Sequence, residues 1–518
     1  MKRKLPVVCL LAVIGLHLAC GASFVAAERP NQDEGWYLEA ARLVEQGRVP
    51  YLDFAYVQPP LLPYVYAALG GERDMAAGRS VSLLFGALAV LLGGVAAWRL
   101  GAGAGLLAAA LPAFNAFVLS QQCIVKAYAL ANACLALGLL LAVWAKGRRR
   151  WLAGAAVAFA LAALTRNSAA TALLAYWLWL AADRARRRHL LAALVAGAAL
   201  PLLVYAPLAL RDAGALHYNL LGHHAANAAR LDPVALVATG LALTQILIAA
   251  MPALAGVVLS GLALQPGVPV ETEGRDEVEL VTLIFVFVAA GQLVSSHPYQ
   301  EYQVLAVPPA AVLAGLCWGR VLRGAGGHRA LSVLLAVTAG LVPLLALPSA
   351  LANLPGRKIV VDGRRDPAGV HGPLRRVAKL VVGCTAPSDP LLTFQTAVAI
   401  EARRPLTPGL TLASFSFVDD ATAERYHLLG PRRLTAELSA AQPAALVFSP
   451  GDIDCILRAR FDGERFALKS GLDAAAQRAY GPVVDALNAR YRLVGKVADV
   501  GQFNEEFTVF ARRAGGAR

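Results

Sequence analysis

Apolar windows long enough to cross a bilayer recur along most of this chain, and no other feature narrows its folding options so far. They fall at about 5–27, 79–98, 102–120, 127–145, 189–209, 233–262, 279–295, 303–319 and 330–350, and two shorter ones, 151–165 and 168–182, flank Thr165-Arg166-Asn167-Ser168. Since about 20 apolar residues span the hydrocarbon core, counting both short windows predicts about eleven transmembrane helices. Of the 518 residues, 58% are hydrophobic and only 16% charged. Mean hydropathy is +0.55. A water-soluble fold would have to hide more apolar side chain than a chain of this length normally carries.

The net charge of +14 does not point to nucleic acid, because the basic residues sit in short clusters between apolar runs. Lys2-Arg3-Lys4, Arg99, Lys146 with Arg148-Arg149-Arg150, Arg184 with Arg186-Arg187-Arg188, and Arg320 with Arg323 fall on one side of the predicted topology. That side is cytoplasmic by the positive-inside rule, which places the N-terminus there. Leu5 to Ala27 is long enough to span and is read as an uncleaved first helix rather than a signal peptide. The opposite face then receives a long first loop, about 28–80, the turn Gln121 to Lys126, Arg166, the loop Arg211 to Asp232, and Ser295 to Tyr302.

Past residue 350 the composition shifts to charged residues, prolines and short strand-like runs: Leu391 to Phe394, Ala445 to Phe448 and Phe507 to Phe510, interleaved with amphipathic stretches such as Leu472 to Tyr491. The expected organisation is a multi-helix membrane domain over 1–350 and an extracytoplasmic α/β domain over 351–518. The seven cysteines show no CxxC or Cys/His ligand spacing, and most lie in apolar stretches, so cysteine implies no metal site. Cys384 and Cys455 both fall in the C-terminal domain, where an oxidising compartment could pair them; spacing leaves that open.

The first outer loop is the richest stretch. It reads Asn31-Gln32-Asp33-Glu34-Gly35-Trp36-Tyr37, then Gly47-Arg48-Val49-Pro50-Tyr51-Leu52-Asp53, then Gln58-Pro59-Pro60-Leu61. Trp36, Tyr37, Ala40, Ala41 and Val44 recur at helical spacing, predicting an amphipathic helix over 34–46 on the outer membrane surface, with Asp33 as its N-cap and Asp53 starting a turn. Asp is favoured at N-caps for reasons unrelated to catalysis, so local sequence offers two readings of Asp33.

This order of an acidic pair, a Tyr-containing helix, Gly-x-x-Pro-Tyr-x-Asp and a Pro-Pro-Leu step resembles the first outer loop of GT-C fold glycosyltransferases. It is most similar to the protein O-mannosyltransferase and aminoarabinose transferase superfamily. The resemblance implies that Asp33 is the catalytic carboxylate, with Glu34 beside it. Lys126-Ala127-Tyr128-Ala129-Leu130 is similar to the Arg-Pro-Tyr-Ala-Leu step opening the fourth helix of many members, and Thr165-Arg166 resembles the turn of a broken hairpin. His297-Pro298-Tyr299 to Pro308-Pro309 resembles the start of a late helix. Gln58 stands where aminoarabinose transferases have Lys, and no second acidic residue precedes the fourth helix, which argues against that particular substrate.

The physical case runs the same way. A polyprenyl-phosphate sugar keeps its tail in lipid while its head meets a water-side acceptor, and boundary cations that run against the positive-inside trend are functional suspects. Lys126 and Arg166 fit the role of holding the leaving phosphate, against a reading in which both snorkel from helix ends. Asp33 would take the acceptor proton in a single inverting displacement. Asp53, Gln58, Tyr128, His297 and Tyr302 complete the expected substrate pocket. His217, His223 and His224 fall in an outer connection, but adjacent histidines point to different helix faces, so no metal is assigned, and no cofactor is implied beyond a divalent metal left open. The expected partners are a polyprenyl-phosphate sugar donor, an envelope glycan, lipid or protein acceptor, and membrane lipids. The expected address is the inner membrane of a bacterium, multi-pass. The rival functions are a flippase for lipid-linked saccharides, which needs midplane charges and repeated halves, and an envelope assembly protein, in which Asp33 would be dispensable.

Overall fold

The computed structural model describes residues 4–226, 233–262, 274–294, 299–324 and 371–513. His297 and the window at 330–350 lie outside the described residues. The chain divides into two compact units: Met1–Val25, Ser82–Pro207 and His224–Lys358 form one, and Ala26–Val81, Leu208–His223 and Ile359–Arg518 form the other.

The first unit is helical. Every expected window up to residue 319 corresponds to a helix: Leu5–Ala27, Met75–Ala97, Ala102–Ala113 with Ala116–Gln122, Ala127–Trp144, Arg149–Thr165, Ala170–Ala182, Leu190–His217, Pro233–Leu262, Arg275–Leu293 and Val307–Gly324. Among the described residues six helical stretches are long and apolar enough to cross a membrane, and the pair around residues 114–115, bent by 69°, makes a seventh. Asn115 produces the break, its side chain accepting from Val118 N at 3.2 Å to start a new helix. Lipid offers leucine no less than a neighbouring helix does, so small residues that let backbones approach hold such bundles together. A Cβ on Gly315 would come within 2.6 Å of the Ala104 carbonyl oxygen, and one on Gly138 would overlap the Phe159 ring. Polar side chains also tie the helices together: Asn132 donates to the Val304 carbonyl at 3.3 Å and Ser168 to Gln292 at 2.8 Å.

The second unit is built on a four-stranded sheet of order β1-β2-β6-β5, with β1 Leu391–Thr393, β2 Ala445–Phe448, β5 Tyr491–Val500 and β6 Glu505–Arg512. β1 and β2 run parallel, while β6 is antiparallel to both β2 and β5. A separate two-stranded ribbon pairs β3 Ala459–Phe461 with β4 Phe466–Leu468. Leu392, Phe394, Leu446, Phe448 and Phe510 are buried in its core. The loop helix Gln32–Glu45 packs against helix Thr396–Ala402 so tightly that a Cβ on Gly35 would collide with Ala397 N and Thr396 Oγ1. Segment 208–223 is fixed to the same unit by Arg425, bidentate on Asp212 at 2.7 and 2.8 Å, and by Tyr218 stacked on Tyr426 with centroids 3.8 Å apart.

The loop helix departs from expectation in two respects. Its N-cap is Asn31, not Asp33: the Asn31 side chain accepts from Asp33 N at 3.0 Å and Glu34 Oε1 accepts from Asn31 N at 2.8 Å, a capping box that moves the start forward. Nor does one face of it lie open, as a surface helix would require, because Glu34 to Ala41 are all buried. Cys384 and Cys455 are both free thiols, Cys384 donating to the Leu380 carbonyl and Cys455 exposed.

Candidate functional site

The acidic pair Asp33-Glu34 divides its roles by geometry. Glu34 is fully buried and receives Arg79 in a fork, Nε to Oε2 at 2.8 Å and Nη2 to Oε1 at 2.6 Å, while also closing the capping box. Arg79 is equally buried; it donates to the carbonyls of Glu28 at 2.7 Å and Arg29 at 3.0 Å, and its Nη1 lies 3.0 Å from His371 Nε2. Asp33, one residue earlier, is half-buried, and its Oδ1 accepts from Trp36 Nε1 at 3.3 Å. Trp36 stacks on Tyr37 with centroids 3.7 Å apart, and Tyr56 meets both rings edge-on. Tyr56 N donates to Asn219 Oδ1 at 2.9 Å, holding this aromatic group to segment 208–223. Arg79 and Asn219 were not singled out in the sequence; for Arg79 the available signal was a lone cation opening the apolar run at 79–98.

Asp53 and Gln58 lie farther along the same loop. Asp53 is exposed, and its Oδ2 accepts from Val49 N at 2.7 Å, closing the expected turn. Gln58 is half-buried, and its carbonyl accepts from the Tyr51 hydroxyl at 2.6 Å. Tyr51 sits at φ +71°, a left-handed conformation that costs a bulky residue energy and is held by this bond. Asp53 borders a cleft of about 720 Å³ in the second unit.

In the helical unit four of the expected residues converge. Lys126, 5% exposed at the start of helix Ala127–Trp144, donates from Nζ to Glu301 Oε1 at 3.0 Å. The Arg166 guanidinium lies over two rings, 4.8 Å from the Tyr128 centroid and 4.6 Å from that of Tyr302. Tyr299 packs edge-on against Tyr302 at 5.7 Å. Two cations, three tyrosines and one carboxylate thus gather at helix ends in the helical unit. A guanidinium laid against ring faces in this way gains electrostatic stabilisation. The carboxylate that meets Lys126 comes from Glu301, 175 positions away.

His217 is exposed, and His223 is buried with its ring edge-on to Phe415 at 6.2 Å. Among the described residues no group of three or more His, Cys, Asp or Glu side chains is placed to hold a metal ion.

At the level of sequence no family model and no curated protein matches the chain. Its backbone, by contrast, has the GT-C fold of multi-pass membrane proteins, a helical membrane part with a C-terminal part containing a small sheet. It matches ArnT from Cupriavidus metallidurans, solved bound to undecaprenyl phosphate, with TM-score 0.60 and 18% identity over 99% of both chains. It also matches the archaeal oligosaccharyltransferase AglB from Archaeoglobus fulgidus, solved with an inhibitory peptide and a dolichol-phosphate, with TM-score 0.51 and 12% identity over 96% of this chain and 80% of that one. The mycobacterial arabinofuranosyltransferase AftD matches at TM-score 0.50 and 15% identity, over all of this chain but 40% of the other.

Proposed function

We propose that this protein is a membrane glycosyltransferase that moves a sugar from a polyprenyl-phosphate carrier to an envelope glycan, lipid or protein acceptor on the outer face of a bacterial inner membrane. The observation that carries the reading is the cluster of Lys126, Arg166, Tyr128, Tyr302 and Glu301, a charged group inside a helical unit whose fold is shared with proteins solved with polyprenyl-type phosphates. Lys126 and Arg166 bind the donor phosphate and stabilise the charge it gains on leaving. Asp33 takes the proton of the acceptor hydroxyl as its oxygen bonds to the anomeric carbon. The bond from that carbon to the phosphate oxygen breaks, and the phosphate keeps the electron pair. Phosphate is a stable anion, so no second carboxylate has to protonate it, and a single displacement inverts the anomeric centre. Glu34 holds Arg79 and the start of the loop helix, and so positions Asp33.

In this reading the N-terminus is cytoplasmic and residues 351–518 are extracytoplasmic, acting on the acceptor. The test is to delete the gene in its native host and restore it as wild type or Asp33→Asn at matched membrane abundance. Envelope glycans and polyprenyl-phosphate sugars are then compared by mass spectrometry. Wild type alone should restore a missing sugar, with the lipid-linked donor accumulating in the variant; equal restoration by Asp33→Asn would remove the base assignment.

A further inference from the structure

The cleft beside Asp53 is walled by the C-terminal half of the loop helix, the turn Gly71–Arg73 and the loops around residues 403–411 and 427–433, all within the second unit. Its volume of about 720 Å³ is that of a ligand site rather than a packing defect, since such sites run from roughly 300 to 1,000 Å³. Five arginines line it: Arg42, Arg48, Arg73, Arg403 and Arg433. Arg42 is committed to Glu39. Arg403 and Arg433 are loosely held, 3.7 Å from Asp74 and 3.8 Å from Glu437, with side chains 74% and 41% exposed. Arg48 and Arg73 are exposed and make no ion pair or side-chain hydrogen bond among the described residues.

The walls carry stored strain. Arg403 and His427, both lining the cleft, hold left-handed backbones at φ +51° and +57°, a conformation rare for residues with a Cβ. Between them Gly409, at φ +95°, lets the first loop press on the second, where a Cβ would come within 2.8 Å of the Leu428 carbonyl oxygen. Loops pinned in this manner present side chains in fixed places, as a recognition surface requires.

We infer that this cleft binds an acidic saccharide, the charged portion of the acceptor; the assignment to the acceptor rests on the transferase reading. Guanidinium forks match carboxylates or phosphates in two-point geometry, which explains the arginines. Besides Glu39, which holds Arg42, the carboxylates that line the cleft are Glu45, Glu72 and Asp53, which accept hydrogen bonds, and sugar hydroxyls donate them. An acidic peptide would meet those same carboxylates as like charges without hydroxyls in exchange.

The test uses the full-length protein in detergent and titrates it with a hexasaccharide of galacturonic acid, with maltohexaose as the neutral control and poly-glutamate as the peptide control. The acidic hexasaccharide should bind in a salt-dependent manner, and the controls should not. Arg48→Gln/Arg73→Gln should weaken binding by at least about tenfold, given the strength of charge-assisted pairs, and Arg48→Lys/Arg73→Lys should recover part of it while verifying that the fold survives. Arg460→Gln/Arg465→Gln, exposed elsewhere on the unit, should change nothing. Equal binding by the cleft variant, or poly-glutamate binding as tightly as the hexasaccharide, overturns the inference. This readout stands apart from sugar transfer. If the hexasaccharide fails to bind while Asp33-dependent transfer holds, the cleft assignment alone falls. If it binds while Asp33→Asn restores the missing sugar, the transferase mechanism falls and a saccharide-binding cleft remains.

Discussion

A carboxylate that gives both oxygens to a buried guanidinium is committed to holding structure, and Glu34 is such a group. Glu34 gives both oxygens to Arg79 in a pair that is completely buried. Removing one partner of such a pair leaves the other charge unpaired in a low-dielectric interior, at a cost of about 3–5 kcal/mol. Glu34→Gln should therefore lower thermal stability in detergent steeply, and Glu34→Gln combined with Arg79→Gln should recover part of the loss. Asp33→Asn should leave the unfolding temperature near that of wild type while abolishing transfer. A double variant no more stable than Glu34→Gln would show that the pair does not act as a unit. The loop motif made Asp33 and Glu34 conspicuous in the sequence, but Arg79 and Glu301 escaped notice because their partners lie 45 and 175 positions away. Spacing arguments reach one or two helical turns, and pairing across a fold lies beyond them.

Elements were legible in proportion to how plainly one face is buried. β1 and β2 are wholly buried and β6 is buried from Phe507 to Ala511, and all three read as short apolar runs. β5 alternates poorly, is interrupted by bulges and follows helix Ala474–Arg490 without a break, so its pattern merged with the helix. The turn after β2 carries a consequence for pH. Asp452 sits there in reciprocal hydrogen bonds with Ser449, whose N donates to Asp452 Oδ2 at 2.8 Å and whose Oγ accepts from Asp452 N at 3.2 Å. Burial pushes its carboxyl up to about 6, outweighing the Ser449 and Gln395 hydrogen bonds that draw it down. From about pH 4 to about pH 6 the folded protein keeps a proton that the unfolded chain has released. Stability from this group is therefore full below that window, falls as pH rises through it, and is level above, with a total loss of about 3 kcal/mol. Asp452→Asn keeps an acceptor for Ser449 N and removes the charge. The stability difference between variant and wild type should grow in the variant's favour from pH 4 to pH 6 and then hold constant; a difference independent of pH would refute the account.

At the scale of the molecule, the membrane windows foretold the helical unit because transmembrane helices must satisfy their backbones internally and announce themselves by length and apolarity. They did not foretell that residues 26–81 and 208–223 form one compact unit with residues from 359 onward. Composition places a boundary near 350, whereas packing ties the first loop to the C-terminal residues: Gly35 against Thr396 and Ala397, Met75 N on Glu401 Oε1 at 3.2 Å, and Arg79 beside His371. The same ties bear on what truncation should do. A chain ending near residue 350 would lose the groups that bury Gly35 and flank Arg79, and the loop carrying Asp33 would be left to hold itself. Limited trypsin digestion of full-length and truncated protein in detergent, mapped by mass spectrometry, should show cuts after Arg42 and Arg79 only in the truncated form, since both side chains are largely buried in the intact unit. The donor-lipid binding proposed for Lys126 and Arg166 should persist, because Glu301, Tyr128 and Tyr302 all belong to the other unit. Equal protection of the loop in both forms would mean that it folds without its C-terminal partners, and the C-terminal residues would then act on the acceptor alone rather than also holding the proposed base in place.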